Sequence, residues 1–358
     1  AVRHLIKLIV SNLNALMSSV LYKSSWGLFQ SSFTTFKATK PSSLLFRVGP
    51  LLQIPSSSSR LSSRLSSRLS SRLSTRLSSR LSSQSSSRSS SSLSNAHRHC
   101  VDVVRERDYG GYLVGLLLDK EAKNDYFAVQ AFNVETSLIK DSLRGGVRAN
   151  TTPAIARINW WRELIEQCYT DTLTEDKLLN PVGLALSSAI KTSSLTRRYF
   201  EYIIDARNSD LSITQKSTVE EVLVYGERTY GSVLKLGLEC VGVRDDVVDM
   251  VAGHLGRGIG VEKAIRGTEV LAREKGEVTI PMELMRRFEV PSSAVLDPMS
   301  QSPEKTSSSN VKLSEAVFEF ATIGNAHVEK AREYASDLKD DGVKRRSKGV
   351  LLRGTETV

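Results

Sequence analysis

The densest group of ligating side chains is His97-Arg98-His99-Cys100, where two imidazoles and a thiol fall within one turn. Groups of this kind hold zinc when a second cluster completes a tetrahedral set. Here Cys168 and Cys240 stand far away and no CxxC pair occurs. The spacing therefore predicts neither a metal centre nor a disulfide framework, and it fits a reducing compartment. Asp141 is a lone acid near Lys140 and Arg144, a pattern that reads as a solvated helix charge. His254 and His327 fall inside amphipathic stretches and read as structural residues. Trp160 and Trp161 are adjacent, so on a helix they point about 100° apart; they read as one core residue and one partly exposed neighbour.

The elements that must position these residues begin after a sharp change in charge. Residues 1–101 contain no Asp or Glu and 14 Lys or Arg, leaving 35 basic against 39 acidic residues in the remainder. The net charge of +10 is therefore a property of the leader, and the body is mildly acidic, which argues against a nucleic-acid partner. An acid-free leader rich in Ser, Arg and Leu, with the apolar patch Leu5 to Val10, fits an organelle transit peptide. Asn12, Asn14, Ser18 and Ser19 interrupt that patch well short of the ~20 apolar residues a membrane span needs. Between Arg60 and Leu81 the unit Arg-Leu-Ser-Ser repeats with one Thr substitution. It carries too little apolar area to fold in water and reads as a disordered spacer. Its RNA-associated alternative lacks any RNA-binding module after it.

From Val101 onward apolar residues recur at helical spacing, with few prolines and no β-alternation. The pattern predicts an all-α body with helices over 101–119, 124–144, 152–170, 179–191, 195–207, 216–240, 244–272 and 312–339. Breaks are expected at Gly145-Gly146, Pro153, Pro181, Gly242 and Pro281. Pro291 to Asn310 reads as a flexible loop. The organisation expected is a leader over 1–99, a helical domain over 100–340 and an irregular tail over 341–358.

Several strings in this body resemble the squalene/phytoene synthase family, and within it a mitochondrial branch associated with assembly of respiratory complex I. They are Val104-Arg105-Glu106-Arg107-Asp108-Tyr109, Phe127 to Glu135 (FAVQAFNVE), Arg157-Ile158-Asn159-Trp160-Trp161-Arg162, Leu195-Thr196-Arg197-Arg198 and Ile204-Asp205-Ala206-Arg207. Their order and spacing carry the likeness over about Cys100 to Asp340. The resemblance implies an isoprenoid-synthase-like helical bundle with an apolar central cavity. In the active relatives two Asp-rich motifs on facing helices, aspartates four residues apart, hold Mg²⁺ against a departing diphosphate.

Matched to those motifs, this chain places Ser137 at the leading and Asp141 at the trailing aspartate of the first. Arg266 matches the arginine of the second motif, and Gly267 and Leu271 stand where its two aspartates belong. Asn133 and Tyr225 are further remnant cavity positions by resemblance; Tyr225, Tyr230 and Gly231 are explained equally well by packing. The resemblance thus implies no catalytic, metal-binding or cofactor-binding residues and a non-catalytic protein of complex I assembly. Complex I subunits or assembly intermediates, peripheral inner-membrane contact and a lipid or isoprenoid ligand are its implied partners. The implied location is the matrix side of the mitochondrial inner membrane, with the plastid as the alternative. The competing reading is a Mg²⁺-dependent prenyl transferase making squalene- or phytoene-like products. Family members continue past Asp340 into closing helices, whereas Val343 to Lys348 leads here to a short basic tail, which suggests a truncated C-terminus.

Overall fold

The computed structural model of the protein describes residues 92–143, 150–297 and 303–337. The segment expected to be a transit peptide, the Arg-Leu-Ser-Ser repeat, Gly145-Gly146 and the basic tail lie outside the described residues. Within them the chain is all-α: α1 (92–107), α2 (Tyr109–Leu116), α3 (Lys120–Asp141), α4 (Thr152–Thr170), α5 (Glu175–Leu179), α6 (Pro181–Ser193) and α7 (Arg197–Asp210). There follow α8 (Val219–Gly226), a π turn (Glu227–Gly231), α9 (Ser232–Cys240), α10 (Asp246–Lys275), α11 (Met282–Arg287), α12 (Ser293–Leu296) and α13 (Pro303–Asp337).

Local chemistry explains most boundaries. Pro153 starts α4 at a position where its missing N–H costs nothing, and Asp171, at φ 56°, ends it in the left-handed region. Asn180 caps α6 by accepting from the Gly183 N–H at 2.8 Å, with Pro181 as the first helical residue. Asp245 caps α10 through the Val247 and Val248 amides, and Gly276, at φ 67°, closes it.

Four expectations need correction. The helical body reaches back to residue 92, beyond the expected boundary at 100, and Ala96 and Cys100 are buried. The single helix expected over 101–119 is broken at Asp108, whose carboxylate accepts from the Gly111 N–H at 3.1 Å and starts α2 afresh. The helix expected over 216–240 contains the π turn. Residues five apart on an α-helix lie about 140° apart, so only the wider turn lets both Gly226 and Gly231 face α10. A Cβ on Gly256 of α10 would meet Gly231 N at 2.4 Å and Gly226 O at 2.9 Å, so the backbones touch. Finally, the stretch read as a loop over 291–310 holds α12 and the first turns of α13. Pro303 is preset for a helix start, and the docked stretch from Leu313 to Phe320 propagates the helix backward through polar residues.

Two main clusters of buried apolar residues flank the centre. One joins α1, α3, α4, α6, α7 and α9 around Phe132, whose ring meets Trp161 at 5.3 Å and Phe200 at 5.4 Å, both edge-on. The other joins α8, α10, α11, α12 and α13 around Val261, Ile280 and Phe320. A smaller cluster ties α9 and α10 to α13 through Val248, Val251 and Ala331. No helix among the described residues is long and apolar enough to cross a membrane.

Candidate functional site

Between the two main clusters, α3, α7, α8 and α10 converge on polar side chains. Arg207 lies at their centre, 5% exposed. Its Nη1 donates to the Asn133 carbonyl at 2.8 Å and also to the Thr136 hydroxyl, and its Nη2 donates to the Asn133 Oδ1 at 2.5 Å. Its Nε has no partner. Burial lowers the basicity of Arg207, and the hydroxyls of Tyr225 and Tyr230 are the groups that offset this electrostatically. Both phenols are in turn held above their ordinary range by burial, Tyr230 at about 12. Tyr225 carries Lys216 over its ring, with Nζ 4.5 Å from the centroid.

A set of ion pairs closes one end of this centre. Lys275 on α10 donates to Asp141 on α3 at 2.8 Å. Lys140 donates to Asp210 on α7 at 3.0 Å and lies 3.3 Å from Glu277, just past α10. Lys216 also donates to Asp210. Glu262, 4% exposed, is held by Arg266 at 2.9 Å.

Of the positions picked from the sequence, Asn133 and Tyr225 belong to the surroundings of Arg207, and the others make separate contacts. Asn133 serves Arg207. Ser137 turns onto its own helix, donating to the Val134 carbonyl at 2.7 Å. Asp141 is exposed, as its lone position suggested, and is at the same time the anion of an inter-helix ion pair with Lys275. Arg266 is exposed and pairs back to Glu262 within α10, while Gly267 lies against Leu271. The His97 to Cys100 run divides around one helix, Cys100 buried and His99 exposed, and among the described residues no three His, Cys, Asp or Glu side chains converge as metal ligands.

Mg²⁺ needs several oxygen ligands free to turn toward one point. The four matched positions supply one carboxylate, and it is engaged by Lys275. Glu262, Asp210 and Glu277 are likewise engaged by cations. The residues present do not fit the metal that the family's active members use.

Sequence reasoning missed Arg207 as the centre, although its place on α7 held the signal. Phe200, Ile203, Ile204 and Leu211 mark the buried face of α7, and Arg207 falls on that same face at helical spacing. A cation in an apolar register is the informative exception. His254 and His327, read singly as structural, form a pair: their Nδ1 atoms lie 2.9 Å apart and join α10 to α13.

Comparison with known proteins gives one family. The squalene/phytoene synthase family model matches residues 104–350. The chain is 30% identical over 241 residues to "NADH dehydrogenase (ubiquinone) complex I, assembly factor 6" of Bos taurus, covering 67% of each. It is 29% identical over 236 residues to the Homo sapiens protein of that name, covering 66% of this chain and 65% of the other. It thus spans about two thirds of the length of these relatives. Among solved structures, a dehydrosqualene synthase in complex with ligand shares 18% identity at a TM-score of 0.49, covering 68% of this chain and 83% of that one.

Proposed function

The chain belongs to the squalene/phytoene synthase family, and from that premise we propose that it acts without prenyl-transfer chemistry in assembly of mitochondrial respiratory complex I. The observation that carries the loss of chemistry is the pairing of Lys275 with Asp141. At the place where active relatives gather carboxylates from two helices around metal ions, this chain joins the helices with its own ammonium group. The lysine neutralises the one matched carboxylate, and with the other three matched positions carrying no acid, diphosphate departure has no Lewis acid to assist it.

The assembly role rests on the relatives named for it, from cattle and humans. In this reading residues 1–99 carry a mitochondrial targeting leader, and the helical body works at the matrix face of the inner membrane. It binds there a subunit or intermediate of complex I.

Two measurements test the proposal. Cells lacking the protein are expected to accumulate partial complex I assemblies on native gels, and re-expression of the full chain is expected to restore the mature complex. Normal complex I after complete loss would overturn the role. Separately, the purified full chain is expected to release no diphosphate from farnesyl diphosphate with Mg²⁺ present. Turnover there would reinstate the prenyl transferase reading.

A further inference from the structure

A neutral imidazole carries one N–H and one lone pair, so two of them touch nitrogen to nitrogen only when one donates to the other. His254 on α10 and His327 on α13 meet in this way, with their Nδ1 atoms 2.9 Å apart. Their ring centroids are 5.2 Å apart and the planes lie 29° from parallel. The nitrogen separation plus the radius of each small ring accounts for that whole distance, so the rings meet edge to edge and each Nδ1 points at the other. One proton therefore lies between two nitrogens aimed at a common point. Both rings are partly exposed, and Tyr334 of α13 stacks on His254 with centroids 5.6 Å apart, which fixes the plane of that imidazole. The charged groups around the pair are Lys330 and an ion pair, Glu227 with Arg257 at 2.7 Å.

We propose that His254 and His327 bind a late first-row divalent transition-metal ion such as Zn²⁺ through their two Nδ1 atoms, and that the ion clamps α10 to α13. The metal takes the place of the shared proton. The ring that held this proton on Nδ1 takes one up on Nε2, so both imidazoles stay neutral and no net proton is released. Tetrahedral Zn²⁺ with bonds of about 2.0–2.1 Å sets two nitrogens about 3.3 Å apart, so the rings need to part by only a few tenths of an ångström. Solvent completes the coordination, since Glu227 is engaged by Arg257 and no third ligand converges among the described residues. Paired imidazoles select Zn²⁺, Ni²⁺ or Cu²⁺ over Mg²⁺, which takes oxygen ligands. The site also lies about 30 Å along α10 from Lys275, at 1.5 Å per residue. It depends only on the meeting of two rings, so this inference and the assembly role can fail separately.

The test is thermal unfolding of the purified full chain, stripped of metal and held at about pH 7.5, above the ordinary imidazole range. Micromolar Zn²⁺ is expected to raise Tm, and Mg²⁺ at the same concentration to leave it unchanged. His254→Gln and His327→Gln each keep a side chain able to hydrogen-bond the remaining imidazole but remove one ligand. A purely structural pair would tolerate them; here each is expected to abolish the rise with Zn²⁺. If the Gln variants do not fold, hydrogen exchange of the wild type decides. Zn²⁺ is then expected to slow amide exchange around residues 254 and 327 and not around His97 and His99. The proposal is overturned if Zn²⁺ leaves the wild-type Tm unchanged, if the rise survives in either folded variant, or if the slowed exchange falls elsewhere in the chain.

Discussion

Lys275 and Asp141, 134 positions apart in the chain, meet at 2.8 Å and tie the C-terminal end of α10 to that of α3. The contact lies on the exposed side of Asp141, while Lys275 is largely buried. Removing either member leaves a partly exposed partner, so the effect on stability is expected to be modest.

Rebuilding the ligand set should rebuild metal affinity. Ser137→Asp, Gly267→Asp and Leu271→Asp, combined with Lys275→Ala to free Asp141, place four carboxylates on two facing helices. The only contact a Cβ at Gly267 would make, 3.2 Å to the Leu271 side chain, disappears with the Leu271 substitution. Calorimetric titration with Mg²⁺ is expected to show binding by this variant and none by the wild type.

The contact of α10 with the π turn leaves no room for a side chain. A methyl group on Gly256 would lie 2.4 Å from the Gly231 nitrogen, so Gly256→Ala must separate two backbones. We expect a loss of about 1–3 kcal/mol or more, read as a lower Tm. Gly242→Ala meets nothing within 4 Å, and its cost comes only from its φ of +78°. The larger drop should belong to Gly256.

Acid should loosen the α10 to α13 junction. Burial, followed by His254 and the cations Arg257 and Lys330, lowers His327 to about 4, while Glu227 opposes this weakly. Burial, Arg257 and Lys330 also lower His254 from 6.5. A depressed folded-state value means that the unfolded chain binds more protons. The contribution is therefore fully present above pH 6.5 and is lost as pH falls toward 4. Tm measured across that window is expected to fall less steeply in His327→Phe than in the wild type.

Phe132 offers a test of the first core. It is fully buried and in edge contact with Trp161 and Phe200, so Phe132→Ala is expected to cost about 3–5 kcal/mol in chemical denaturation.

The helical class and several boundaries were legible because their causes are local. Pro153, Pro181 and Gly242 start or stop helices by sterics that no distant contact alters, and α4 falls where the spacing put it. The π turn was illegible, since its cause is the approach of Gly256 from another helix. The early start of α13 was hidden for a similar reason. Its first turns are polar and gain their order from apolar residues further along that dock on other helices.

Matched to the motifs that the resemblance implies, the sequence by itself showed acid at one of four positions, because side-chain identity at a helical register is a local property. Only tertiary structure decided what the remaining charges do. Asp141 is a surface acid whose partner, Lys275, only the fold supplies, and Arg207 looks like one cation among many until the helices bury it with neutral partners on α3. Coulomb energies depend on distance and on exclusion of water, and neither quantity exists until the chain has folded.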